Sequence, residues 1–163
     1  MNTIMLILTI LSLGLMAGLF YSWSISVTPG LAKLGDENYL KAFQSMNRAI
    51  LNPAFLIVFM GLVILLILLC YLYYDSTEPT QFWYILSAAI LYLAGVMLVT
   101  VFGNVRLNNT LEVLQIESMS PEQMASFRLG FESKWNKLNI VRTLCSLFSF
   151  VLLVLASLQN SAK

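Results

Sequence analysis

An all-α fold, an integral membrane four-helix bundle, is what this sequence predicts, and three observations predict it. Apolar residues make up 59% of the 163-residue chain and charged residues only 10%, against about 25% charged in an ordinary soluble domain. Four apolar runs are each long enough to cross a bilayer, which takes about 20 residues. The segments between runs one and two and between runs three and four are long and basic, and their apolar residues recur at helical spacing. The length predicts one membrane domain over 1–163.

The first span is expected at about 4–27. It has no basic segment ahead of it, and its apolar stretch is too long for a signal-peptide core, so it reads as a retained helix. The second, third and fourth spans are expected at about 55–74, 82–102 and 140–158. The loops 28–54 and 103–139 carry Lys33, Lys41, Arg48, Arg106, Arg128, Lys134 and Lys137, whereas the Asp75–Glu78 turn has no basic residue and the C-terminus only Lys163. The bias of basic residues toward the inner face puts both loops in the cytoplasm and both termini outside. The setting expected is a bacterial inner membrane.

Both loops carry helical signals. Tyr39, Phe43, Met46 and Ile50 fall on one face, predicting a short amphipathic helix at the membrane surface. Asn52-Pro53 reads as an N-cap and first-turn proline opening span two. Leu107, Leu111 and Leu114 prolong span three beyond the bilayer. Ser120-Pro121-Glu122-Gln123 resembles a capping box, and Met124, Phe127, Phe131, Trp135 and Leu138 make a stripe leading into span four. Spans three and four are therefore expected to continue as a cytoplasmic helical hairpin turning near Ser118–Ser120.

Composition removes several functions. The net charge of +1 gives no reason to expect nucleic acid as a partner, and the chain has no histidine. That excludes His-ligated haem, His-based zinc or copper sites and Ser-His or Cys-His nucleophile pairs. Cys70 and Cys145 are isolated inside apolar runs at different expected depths, so they should pack as free thiols. Glu112, Glu117, Glu122 and Glu132 read as a solvated face, and no metal or cofactor is expected.

Placed on this topology, the polar residues gather at one end. Ser22, Ser24, Ser26 and Thr28 close span one, and Asn47, Arg48 and Asn52 lead into span two. Asn104, Arg106, Asn108 and Asn109 leave span three, and Asn136, Asn139 and Arg142 enter span four. Trp135, Asn139 and Arg142 share one helical face. Three readings of Arg142 stand at this point: snorkelling to the headgroups, pinning of the helices by amide hydrogen bonds, or a pocket between the inner helix ends. The spans contain no Asp or Glu, so Arg142, Arg48 and Arg106 are expected to face neutral amides, an arrangement that suits an anionic or carbonyl-bearing guest. Tyr21, Trp23, Phe43, Phe55 and Trp135 are available as flat apolar walls.

Four segments resemble the DUF1772 family of four-span membrane proteins, also called anthrone oxygenase-like. They are Gly18–Ser22 through Thr28–Leu31, Gln44–Pro53 with its Asn-Arg-x-x-x-Asn-Pro element, Gly103–Asn109, and Trp135–Thr143 with its Trp-x-x-x-Asn-x-x-Arg element. Their order is the family's, and they cover nearly the whole chain. Two positions depart from the pattern: Arg106 stands where proline is expected, and Leu138 where a second tryptophan is expected. The resemblance implies a cofactor-free oxygenase that converts an anthrone to an anthraquinone. On that basis Arg142 is assigned to anion stabilisation, with Asn104 and Asn139 as oxyanion donors. Trp135, Asn108, Asn109, Asn47, Arg48 and Asn52 are assigned to substrate binding. No general base is evident. The alternative is a non-enzymatic module binding a lipid, a quinone-like molecule or a partner protein. The partners expected are the bilayer and a small aromatic or lipid-like ligand, with a homo-oligomer left open.

Overall fold

In the computed structural model, which describes residues 2–75 and 79–159, four long helices and one shorter one account for almost all of the chain. They are α1 (Thr3–Leu31), α2 (Asp36–Ile50), α3 (Pro53–Tyr73), α4 (Pro79–Glu112) and α5 (Pro121–Gln159). All but α2 are long and apolar enough to cross a membrane. The four-span all-α membrane bundle is thus the architecture observed. Part of the Asp75–Glu78 turn, and Lys163, lie outside the described residues.

Helix lengths explain how the bundle acquires a polar end. The 21 residues of α3 reach about 32 Å at 1.5 Å per residue, close to the ~30 Å hydrocarbon thickness. The 39 residues of α5 reach about 58 Å. Helices α4 and α5 both overshoot at the same end and form the expected hairpin there. It turns through a 3₁₀ segment at Ile116–Ser118. Ser120 opens α5 as a capping box, its N–H donating to Gln123 Oε1 at 2.8 Å while its Oγ accepts from the Gln123 N–H at 3.3 Å.

The amphipathic helix α2 is present, but its apolar face is covered by protein. Tyr39, Leu40 and Phe43 are buried against Leu111, Phe131 and Trp135 in a core of their own, separate from the main apolar core of the bundle. Arg128 of α5 fastens this layer. It donates to the carbonyls of Ala32 and Leu34, pairs with Asp36 and Glu132 at 2.9 Å each, and lies 4.3 Å over the Tyr39 ring. The helix expected at the membrane surface is docked by its apolar face onto the hairpin. Three aromatic rings meeting around Phe43 (Trp23, Phe131 and Trp135) give it more to bury there than a bilayer surface would.

Between the spans the close contacts follow small residues. A Cβ on Gly95 would collide with the Cys145 thiol, one on Gly103 would come within 2.8 Å of Leu138, and Ser149 Oγ donates to the Ala88 carbonyl at 2.7 Å. Small side chains let α4 and α5 approach where packing, not water, drives association. Outward, Ile7, Leu11, Ile57, Ile64 and Phe148 are exposed, a continuous apolar surface that suits a lipid bilayer. Cys70 and Cys145 are unlinked.

Two spans are not uniformly α-helical. Helix α1 widens to π geometry over Trp23–Val27, and α4 does so over Leu93–Leu98 and again over Thr100–Asn104. Such turns are rare and concentrate near functional sites. Here they flank the polar cluster.

Candidate functional site

Arg142 lies on the face of α5 that points into the bundle and is 6% exposed, so it does not snorkel. Its Nη2 donates to Asn139 Oδ1 at 2.7 Å and its Nη1 to Thr100 Oγ1 at 3.4 Å. Its guanidinium stacks near Phe20 at 4.6 Å and Trp135 at 5.3 Å. Among the described residues no carboxylate comes within ion-pair distance of it.

Asn139 is fixed from both sides. While its Oδ1 accepts from Arg142, its Nδ2 donates to the Phe20 carbonyl at 3.1 Å and to Ser24 Oγ at 2.8 Å. Ser24 in turn lies 3.0 Å from Thr143 Oγ1. This network ties α1 to α5 through a residue that also borders a cavity. Trp135 Nε1 donates to Asn108 Oδ1 at 2.9 Å, which orients both side chains. Asn104 is almost wholly buried, with a long 3.5 Å contact from its Nδ2 to the Trp135 carbonyl.

These groups line a cavity of about 90 Å³. Arg142, Asn139, Asn104, Trp135, Asn108 and Asn47 all contribute, with Phe20, Trp23, Phe55 and Thr100 as further walls. Three buried polar atoms on this lining have no hydrogen-bond partner: Arg142 Nε and Asn47 Nδ2, both donors, and Asn104 Oδ1, an acceptor. Nearly all buried polar atoms in proteins are satisfied. Three orphans around one void leave hydrogen-bonding capacity there that water or a guest could take up. The cavity shares Asn47, Ile50, Leu51, Val105 and Asn108 with an outer groove of about 210 Å³, so it opens sideways between α2 and α4.

The remaining expected site residues sit elsewhere. Arg48 does not face neutral amides: at the mouth of the groove its Nε pairs with Glu112 at 2.6 Å. Asn109 is exposed at the same mouth. Asn52 does not line the cavity. Its Oδ1 accepts from the Phe55 N–H at 3.0 Å and its Nδ2 donates to the Ala49 carbonyl at 2.8 Å, so it caps α3. Arg106 points away into a separate groove. Of the proposed aromatic walls, Tyr21 is exposed and Phe43 lies behind Trp135 in the α2 core. Thr100, hidden in an apolar run, and Phe20 were not singled out by sequence. Thr100 lies four residues before Asn104, and that spacing was the available signal.

Residues 54–152 match the family model described as Anthrone oxygenase. The chain belongs to the anthrone oxygenase family. The match spans Asn104, Asn108, Trp135, Asn139 and Arg142 but stops short of the walls from α1 and α2. Neither a curated protein nor a solved structure matches the chain.

Proposed function

We propose that this anthrone oxygenase family member binds a flat, acidic aromatic substrate in the cavity beside Arg142 and oxidises it with molecular oxygen. The observation that carries the reading is the buried Arg142 guanidinium on the cavity lining, with no carboxylate within ion-pair distance among the described residues and its Nε without a hydrogen-bond partner. A cation so placed favours an oxyanion, and in a low-dielectric site the attraction is strong.

The chemistry follows from what the substrate can do. A hydroxyanthrone loses a proton from its ring CH₂ to give a delocalised enolate. The enolate carbon bonds to O₂, giving a hydroperoxide after proton uptake, and loss of water leaves the second carbonyl. One O₂ is consumed and one H₂O released, with both oxidised C–H bonds supplied by the substrate. Arg142 and the Asn47 amide would stabilise the enolate oxygen, and Asn104 Oδ1 would accept from a ring hydroxyl. Among the described residues Arg142 is the only ionisable side chain on the cavity lining, so the proton leaves to water rather than to a side chain. Stabilising the anion is then the main catalytic contribution, since it lowers the acidity barrier directly. The inner cavity and its outer groove together reach at most the lower end of the roughly 300–1,000 Å³ of small-molecule sites, so a tricyclic guest would have to extend into the groove lined by Leu51.

Oxygen consumption and anthraquinone absorbance, measured with a hydroxyanthrone panel on the detergent-solubilised protein, test the reading. Stimulation above the detergent blank that is lost in Arg142→Lys is expected. Lack of any stimulation overturns the oxygenase. Quenching of Trp23 and Trp135 fluorescence by a hydroxyanthraquinone without turnover would instead favour a binding module, the reading that the absence of a base on the lining supports.

A further inference from the structure

A second groove lies on the opposite side of the α4–α5 hairpin from the cavity mouth. It holds about 440 Å³ and is bordered by Arg106, Lys134 and Lys137, with Phe102, Leu107 and Leu138 as apolar walls. Its floor depends on Gly103: any Cβ there would press into Leu138 Cδ1 at 2.8 Å, so a side chain at 103 would disturb the notch between the helices.

Among the described residues, none of the three cations has a carboxylate within ion-pair distance. The three acids on the same two helices are engaged elsewhere, Glu112 with Arg48, Glu132 with Arg128 and Glu122 with the Ser120 hydroxyl in the first turn of α5. Three like charges around one groove repel each other unless an anion sits among them. Along the same two helices, Leu98, Phe102 and Val141 are exposed on the side of the groove that leads into the apolar length of the spans. Basic pockets between transmembrane helices at this level bind anionic headgroups.

We propose that this groove is a binding site for an anionic phospholipid of the leaflet facing the loop-bearing end. Its phosphate sits among Arg106, Lys134 and Lys137, and an acyl chain lies along Phe102 and Leu138. Charge complementarity selects an anionic over a zwitterionic headgroup, and the apolar walls select a lipid over a free anion. This inference is independent of the oxygenase reading, because no residue of the groove lines the Arg142 cavity.

Native mass spectrometry of the full chain in detergent, titrated with phosphatidylglycerol and chain-matched phosphatidylcholine, tests it. Each cation near an anionic surface is worth about fivefold, and the three together on the order of a hundredfold. Phosphatidylglycerol should be preferred. Arg106→Gln, Lys134→Gln and Lys137→Gln should each reduce the preference about fivefold, and the triple variant should abolish it with an unchanged thermal melt. Lys33→Gln, which removes an equal charge from the other loop, should leave it intact. Equal binding of both lipids, an equal loss in Lys33→Gln, or displacement of phosphatidylglycerol by inorganic phosphate would each overturn the proposal. If the triple variant does not fold, the single variants decide.

Discussion

Replacing Arg142 with methionine separates a functional charge from a structural one. Methionine fills similar space with a flexible apolar chain. The change strips Asn139 Oδ1 of its donor, at about 1–3 kcal/mol for a buried acceptor left alone. It also removes two guanidinium–ring contacts, with Phe20 and Trp135, each about 0.5–1 kcal/mol or more when desolvated. Against this stands relief of a desolvated cation with no counter-ion, an effect of several kcal/mol in the other direction. The two sides nearly cancel, so stability should stay within about 2 kcal/mol of wild type. At roughly 2–4 °C per kcal/mol for a chain of this size, the melting temperature in detergent should move by less than about 8 °C. Binding of a hydroxyanthraquinone, read by tryptophan quenching, should meanwhile fall about ten- to a hundredfold, the loss of a charge-assisted hydrogen bond of about 1.5–3 kcal/mol. A drop in melting temperature well beyond 10 °C with quenching retained would refute the reasoning, since the guanidinium would then be a helix-pinning group whose burial serves the fold.

Four further outcomes can be checked. Gly95→Ala should destabilise by about 1–3 kcal/mol through overpacking, because its Cβ would meet both the Sγ and, at 2.6 Å, the Cβ of Cys145; Cys145→Ala in the same chain removes only the sulfur and should recover no more than part of the loss in a thermal melt. Burial chiefly, and Glu132 next, raise the pKa of the Tyr39 phenol, with Arg128 pulling the other way. A raised acid pKa disfavours the ionised form in the fold, so Tyr39 should contribute a loss of stability only as pH rises past about 10, the unfolded value. Because the Tyr39 hydroxyl has no partner, Tyr39→Phe should leave the neutral-pH melt unchanged or raised and flatten that alkaline loss; an identical alkaline profile would count against it. The orientation, both termini outside, should appear as labelling of a cysteine at Thr77 but not at Ser118 by an impermeant thiol reagent on intact cells in a Cys-free background, and the reverse pattern would invert it.

Much of the fold was legible because its signals are local. Apolar length sets the spans, and Ser120–Gln123 and Asn52-Pro53 announce helix starts by hydrogen bonds made within three residues. The face shared by Trp135, Asn139 and Arg142 was legible too, since α5 is regular there and i, i+4, i+7 spacing holds. What pairs across the structure was not. Arg48 finds Glu112 at a separation of 64 residues, and nothing in either local sequence announces the other. The docking partner of α2 was not legible for a related reason: an amphipathic stripe says that a face is covered, not by what. Thr100 and Phe20 escaped because a lone hydroxyl and a lone ring inside apolar runs look like packing until the helices are placed around them.

The π-helical turns of α1 and α4 have a bearing on how this site could arise or be lost. Each such turn holds one residue more than the α-helical turn it replaces, and one residue corresponds to about 100° of rotation. The π turn absorbs that residue by winding less per step, so the residues beyond it keep the aim of a regular helix one residue shorter. In α4 the turn Thr100–Asn104 lies just ahead of the segment that carries Asn108. Removing one residue such as Val101 would let the helix revert to regular winding with Asn108 still aimed at the cavity. The same deletion in a regular turn would rotate everything beyond it by about 100°. The widened turns are therefore the places where these spans could gain or lose a codon while the amide beyond them kept its direction.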